Sequence, residues 1–286
     1  MFVDLHLHTT YSDGSFTPEE VIKKAKEIGY SAIAITDHDT TEGLKPALKL
    51  GEKHNLEVIP GIEFNTSING LDVHILGYFI NQDSKCLNIL LEKIKKERRE
   101  RIEKMIELLK ELYGYEISLD EIKEVSEDNI IGRAHIARLL LQKGYVDKWE
   151  KVFDNYIGRG RPAYVSRSKI TPFKAIDVIK KAEGIPVIAH PGLIENNQIV
   201  KQLINYGVTG LEVFYLEHTQ NEIDYYKEVA QNNELLITGG SDCHGPNNKD
   251  GLRLGQIRLD YGYLQELKNY KSIIVNDRAF KKDLLS

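Results

Sequence analysis

Cysteine is almost missing from this chain of 286 residues, which has only Cys86 and Cys243. The two lie far apart and form no CxxC pair, which argues against both a thiolate zinc site and a disulfide framework. Long hydrophobic runs are missing too. No apolar stretch approaches the ~20 residues a membrane-spanning helix needs. The opening MFVDLHLH has neither the charged nor the apolar region of a signal peptide. There is no excess of positive charge: 38 Lys and Arg face 43 Asp and Glu, giving a net charge of −5. The molecule as a whole is therefore not a polycation that coats nucleic acid, although a locally basic pocket is compatible with this balance. Low-complexity tracts and internal repeats are also lacking. The absences together describe a reduced, cytoplasmic protein with no membrane segment and no evident obligatory protein partner. With 41% hydrophobic residues, the length suits one large α/β domain, or one domain carrying a sizeable insertion.

What is present is a rhythm of short β-rich runs and amphipathic helical patterns. FVDLHL (2–7) reads as a strand, and Thr17-Pro18-Glu19-Glu20 opens a helix with a capping residue, Pro at the first helical position and acids near the positive helix end. SAIAIT (31–36), a helix over 42–54, LEVIPGIEF (56–64) and LDVHILGYF (71–79) follow. After an interruption the rhythm resumes with IPVIAH (185–190), GLEVFY (210–215) and ELLITGG (234–240). Continuous Val/Ile/Leu runs spaced by helices predict parallel strands buried on both faces. About seven strands fit a closed or nearly closed α/β barrel, formed by 1–83 and 166–286. The interruption, 84–165, is mostly helical. Leu87, Leu90, Leu91, Ile94, Ile102, Met105, Ile106, Leu109 and Leu112 form the stripe of one long helix. Acids interleave with its basic KIKKERRER segment, so that segment reads as a solvated face.

The chain has nine histidines, and most occupy equivalent places. His6 and His8 lie at i, i+2 on a strand, so both point to one face about 6–7 Å apart. Asp242 and His244 repeat this spacing after the seventh strand, with Cys243 between them turned away as a packing residue. His38 follows strand two, Glu63 ends strand three, His74 lies within strand four and His190 ends strand five. A barrel gathers the C-terminal ends of its strands, where active sites of such folds lie. Six histidines, with Asp13, Glu63 and Asp242, can therefore meet on one rim. Each alone has a plainer reading, as a hydrogen-bonded strand-end residue or a helix cap. Those plainer readings would have to hold independently at nearly every strand end. His54 reads as a surface residue, and His218 stays open between rim and loop. Nine nitrogen and oxygen ligands exceed what one four-coordinate zinc needs, and a shared carboxylate such as Glu63 suits a cluster of two or three metals. Imidazole with carboxylate fits Mn²⁺, Fe²⁺ or Zn²⁺. Such clusters hydrolyse phosphate esters by activating water and clamping phosphoryl oxygens.

The stretches DLHLHTTYSDG, AITDHDT, PGIEF, HILGY, AHPG and GSDCHG resemble, in order, the motifs of the polymerase and histidinol phosphatase (PHP) superfamily. The resemblance implies a distorted (β/α)7 barrel with a trinuclear centre of divalent transition metals, Mn²⁺ foremost. One metal would take His6, His8, Glu63 and Asp242, a second Glu63, His74 and His190, and a third Asp13, His38 and His244. The catalytic burden would fall on His6, His8, Glu63, Asp242 and His244. The helical insertion, with IIGRAHIARLL and YIGRGRPAYV, is similar to that of phosphoesterases acting on nucleoside 3′,5′-bisphosphates or the 5′ end of short RNA. In that branch Arg133 and His135 match phosphate-holding residues, while Arg159, Arg161 and Tyr164 are further candidates for substrate contact. The alternatives are a histidinol-phosphate phosphatase and a non-catalytic accessory module of a DNA polymerase. The basic insertion opposes the first. The complete ligand set and the lack of a polymerase domain oppose the second.

Overall fold

A computed structural model of the chain describes residues 1–125, 131–167, 169–246 and 251–283. The chain divides into two compact units, Met1–Asn88 with Lys169–Ser286, and Ile89–Ser168. Among the described residues the first is built on eight strands: β1 (Phe2–Leu7), β2 (Tyr30–Ile35), β3 (Glu57–Ile68), β4 (Leu71–Tyr78), β5 (Ile185–Ile188), β6 (Gly210–Tyr215), β7 (Leu236–Gly240) and β8 (Leu259–Asp260). The helices along the chain are α1 (Pro18–Ile28), α2 (Leu44–His54), α3 (Lys85–Tyr113), α4 (Leu119–Val125), α5 (Arg133–Gln142), α6 (Trp149–Val152), α7 (Pro172–Lys181), α8 (Asn197–Tyr206), α9 (Gln220–Asn232) and α10 (Tyr261–Asp283). Among the described residues no helix is long and apolar enough to cross a membrane.

The strands form one sheet in the order β7-β6-β5-β4-β3-β2-β1-β8. A parallel bridge from Leu7 to Cys243 brings the end of β1 to the segment after β7, and the sheet nearly closes into a barrel. The pairs β1–β2, β2–β3, β5–β6 and β6–β7 are parallel. The all-parallel expectation fails at β4, which runs antiparallel to both β3 and β5, and at the short eighth strand, antiparallel to β1. The reason lies in Asn69-Gly70, which joins β3 to β4 with φ of +53° and +81°. Two residues with positive φ make the tight hairpin turn that Asn-Gly favours, with no room for a crossover helix. The hairpin has a consequence for the rim. β3 does not end at Glu63 but runs on to Ile68, and His74 on the returning strand pairs with Asn65.

α1 starts as its sequence dictates. The Thr17 hydroxyl accepts from the Glu20 backbone, Glu20 reaches back to the Thr17 N–H, and Gly29 closes the helix at φ +90°. Along β1, Val3 and Leu5 pack in a buried cluster with Ala32, Ala34, Ile59, Leu76 and Tyr78. The alternate residues Asp4, His6 and His8 are also fully buried, so one strand feeds both an apolar core and a polar one.

The second unit has its own core, including Ile102, Met105 and Leu109 of α3 with Ile136, Ala137 and Leu140 of α5. Leu112, expected on the stripe, is exposed instead. The basic segment of α3 forms i, i+4 ion pairs (Lys93–Glu97, Lys96–Glu100 and Arg99–Glu103), as a solvated face should. Arg101 departs from that expectation: its Nε donates to the Val165 carbonyl at 2.7 Å.

Candidate metal centre

The centre is assembled from strand ends and the loops behind them. After β1 the chain turns sharply, and Asp37 holds the turn. Its Oδ1 accepts from the Thr9 N–H and the Ser12 hydroxyl, both at 2.7 Å, while Oδ2 accepts from the Thr9 hydroxyl at 2.8 Å. Gly14 passes so close to the His8 carbonyl that an added Cβ would lie 2.7 Å from it, so no larger residue fits after Asp13. This geometry turns Asp13 back over His8 and His244.

Glu63 stands at the middle. Its Oε2 lies 3.2 Å from both His6 Nε2 and His8 Nε2, and 3.0 Å from His38 Nδ1. Its Oε1 lies 3.0 Å from His74 Nδ1 and 3.2 Å from His190 Nε2. Asp242 Oδ1 joins the first group, 3.4 Å from His6 Nε2 and 3.0 Å from His8 Nε2. Asp13 Oδ1 is 3.2 Å from His244 Nε2, and its Oδ2 is 3.8 Å from His38 Nε2. The structure thus brings all nine sequence-selected residues together. Three sets among them offer donor atoms within 4.8 Å of one another: His6, His8, Glu63 and Asp242; His38, Glu63 and His74; and His8, Asp13, His38 and His244. His190 adjoins these through Glu63. His38 stands nearer Glu63 than the family assignment implies.

The donor atoms fit a cation better than they fit one another. His6 Nε2, both nitrogens of His8, His38 Nδ1, Glu63 Oε2 and Asp242 Oδ1 are buried, yet none makes a hydrogen bond. Leaving so many polar atoms without a partner is costly in a protein interior. Metal–ligand bonds of about 2.0–2.2 Å place adjacent ligand atoms about 2.8–3.6 Å apart, from octahedral to tetrahedral geometry. The contacts around Glu63 and Asp242 fall in that range. Electrostatics without a cation tell the same story. Burial opposes charging His8, but the adjacent Asp242 and Glu63 carboxylates outweigh it and raise the pKa to about 10. Burial lowers His38 to about 4. Burial also opposes ionising Glu63, but His38, His6 and His74 outweigh it and hold the carboxyl well below the usual range.

Several residues that support the rim were not selected from the sequence. Glu212, fully buried on β6, places Oε1 2.9 Å from His6 Nδ1 and accepts from the His190 N–H through Oε2 at 2.8 Å. Such an outer carboxylate fixes the imidazole tautomer that turns Nε2 to a cation. Its only signal was an acid inside the apolar run GLEVFY. Asp4 accepts from the Ser241 N–H at 2.9 Å, tying β1 to the loop after β7, and burial raises its pKa to about 6. His218 is now placed. Its Nδ1–H donates to the Val213 carbonyl at 2.9 Å and its Nε2 accepts from the Gly192 N–H at 3.1 Å, so both nitrogens hold backbone. Cys243 is buried, as expected for packing. His54 is half-buried rather than on the surface, and takes no part in the cluster.

In the second unit, Arg133 opens α5. Its Nη1 donates to the Ile157 carbonyl at 3.4 Å, and its guanidinium lies 5.8 Å from the Phe153 ring centre and 5.6 Å from that of Tyr164. His135 Nδ1 accepts from the Gly132 N–H at 3.1 Å and so caps the same helix. Arg159 and Arg161 are exposed.

Six imidazoles and three carboxylates on the rim of an α/β barrel define a metal-dependent hydrolase. Comparison with known proteins narrows the class. Residues 4–159 match the PHP domain family. Escherichia coli 5′-3′ exoribonuclease Rnm is 31% identical over 252 residues, spanning 85% of each chain. A phosphoribosyl 1,2-cyclic phosphate 1,2-diphosphodiesterase of Eggerthella lenta is 30% identical, over 86% of this chain and 95% of the relative. A 3′,5′-nucleoside bisphosphate phosphatase of Chromobacterium violaceum is 31% identical, over 93% of this chain and 92% of the relative. Among solved structures, a Bifidobacterium adolescentis protein assigned to the metal-dependent phosphoesterases superposes with a TM-score of 0.79 and 26% identity, covering 93% of this chain and 94% of the other. The chain belongs to the PHP family and is a metal-dependent phosphoesterase.

Proposed function

We propose that the centre holds three divalent cations and that the enzyme hydrolyses a phosphate ester of a nucleotide, either a nucleoside 3′,5′-bisphosphate or the 5′ end of a short RNA. The observation that carries this reading is the convergence of five imidazoles on the two oxygens of Glu63, with the buried His6 Nε2, His8 Nε2 and His38 Nδ1 around Oε2 lacking any hydrogen bond. His6, His8 and Asp242 would share one cation with Glu63, His74 and His190 a second, while Asp13, His38 and His244 would hold the third. His38 Nδ1, 3.0 Å from Glu63 Oε2, stands beside the first two positions as well. Mn²⁺ suits this all-nitrogen-and-oxygen set, with Fe²⁺ or Zn²⁺ as alternatives. When bound, such cations make water nucleophilic at neutral pH and offset charge on the phosphoryl oxygens. The protein's own groups hold the geometry: Glu212 fixes the ring of His6, Asp37 fixes the loop bearing Asp13, and Glu63 ties the positions together.

The substrate class follows from two supports. The exoribonuclease, the phosphoribosyl phosphodiesterase and the nucleoside bisphosphate phosphatase to which the chain is similar are all named for phosphate esters of sugars. Arg133 also supplies a planar guanidinium suited to bidentate phosphate binding, at the N-terminus of α5. Arg133 and His135 bind the phosphate that is not cleaved, and the exposed Arg159 and Arg161 contribute long-range attraction for it. The test is phosphate release by the Mn²⁺-loaded enzyme from adenosine 3′,5′-bisphosphate, a 5′-phosphorylated oligoribonucleotide and histidinol phosphate, measured side by side. Highest kcat/KM on either nucleotide substrate supports the reading. Highest kcat/KM on histidinol phosphate would replace it.

A further inference from the structure

Two of the nine cluster residues stand on backbone that side chains rarely adopt: Asp242 at φ +51° and His190 at φ +27°. Non-glycine residues hold such conformations only where their surroundings over-determine them. One side chain touches both. Tyr215, the last residue of β6, is 3% exposed. Its hydroxyl lies 3.2 Å from Asp242 Oδ2, and its ring centre lies 5.2 Å from that of His190. On its other side Arg253 Nη1 donates to the Tyr215 oxygen at 3.3 Å, and the same guanidinium forms an ion pair with Glu217.

These contacts fix the direction of one proton. A guanidinium only donates, so the phenol oxygen must accept from Arg253, and the phenolic proton is left for Asp242 Oδ2. Oδ2 is thereby engaged away from the cluster. Oδ1, buried and without a hydrogen bond, is the oxygen that faces His6 Nε2 and His8 Nε2. A carboxylate lacking such an outer bond is free to rotate and offer both oxygens to one cation. We infer that Tyr215 is a positioning residue that decides which oxygen of Asp242 is presented to a cation, with Arg253, anchored by Glu217, setting the direction of the Tyr215 hydroxyl. The inference rests on the metal-centre reading above.

Tyr215→Phe isolates the effect, because it keeps the ring against His190 and removes only the hydroxyl. The probe is Co²⁺ added to metal-free protein, read by its visible absorption and by competition with a chelator, with thermal unfolding of the metal-free protein as the check on folding. The expected result is a shifted Co²⁺ absorption band and a roughly 10- to 100-fold loss of affinity at one site, the range found for lost outer contacts to metal ligands. Arg253→Met should shift the same band in the same direction by less. A lower unfolding temperature with the wild-type band and affinity would mean a purely structural role and would overturn the inference. If Tyr215→Phe does not fold, Arg253→Met decides alone, and a wild-type spectrum there overturns the inference. Stoichiometric Co²⁺ in the wild type with no change in either variant would sink this inference and leave the metal centre standing. No Co²⁺ binding by the wild type would remove both.

Discussion

Glu63 is the side chain on which the centre turns, because its two oxygens face different groups of imidazoles. Glu63→Ala should therefore cost more than one cation per chain, which elemental analysis after Mn²⁺ reconstitution would register; full occupancy in the variant would show that Glu63 bridges nothing. The histidines should divide sharply. His8→Ala and His244→Ala would each remove a proposed ligand and should lower turnover by several orders of magnitude, while His54→Ala, outside the cluster, should stay near the wild-type rate. Equal losses in the three would mean that the active rim lies elsewhere. Most of the nine cluster residues were legible in the sequence because strand alternation and strand ends are local signals; His74, inside its strand, was reached chiefly through the family resemblance. Glu212, Asp37 and Tyr215 were not legible, because their partners lie on distant segments of the chain: Glu212 meets His6 across 206 positions of sequence. A lone acid in an apolar run marks a buried partner without saying which one.

At the scale of elements, most strands and the capped start of α1 were readable from periodicity and capping chemistry. The direction of β4 was misread because two adjacent apolar runs look alike whether a hairpin or a crossover joins them. Asn69-Gly70 held the distinguishing information. That turn matters to function, since the reversal of β4 is what carries His74, a mid-strand residue, to the rim beside Glu63. Gly70 has φ +81° and nothing within 4 Å of where a Cβ would stand. Gly70→Val should therefore act through backbone conformation alone, at a cost of about 1–2 kcal/mol. Thermal unfolding should show a drop of a few degrees for a chain of this size. An unchanged midpoint would mean that the turn tolerates another conformation.

For the whole molecule, which divides into a barrel unit and a helical unit, the proposal puts chemistry in the first and selectivity in the second. Arg133→Ala should lower kcat/KM for a nucleoside 3′,5′-bisphosphate by about 10- to 100-fold, the worth of a charge-assisted contact of roughly 1.5–3 kcal/mol. It should spare p-nitrophenyl phosphate and leave the metal content unchanged. Equal losses on both substrates would place Arg133 in folding or in general catalysis instead. The barrel was legible as an architecture because its strand ends share a chemistry. The insertion was legible only as helices, since its polar residues have no repeating pattern that separates binding from solvation. Arg101, interleaved with acids yet turned to the Val165 carbonyl, shows this directly.

The proposed centre requires nine side chains to converge on a cluster of cations. Anomalous X-ray diffraction from crystals of the Mn²⁺-loaded protein, recorded at the manganese edge, tests it without reference to any substrate. Three anomalous peaks are predicted: one between His6, His8, Glu63 and Asp242, one beside Glu63, His74 and His190, and one between Asp13, His38 and His244. Crystals soaked in Mn²⁺ that show no peak within bonding distance of Glu63 would mean that these side chains hold no such cluster.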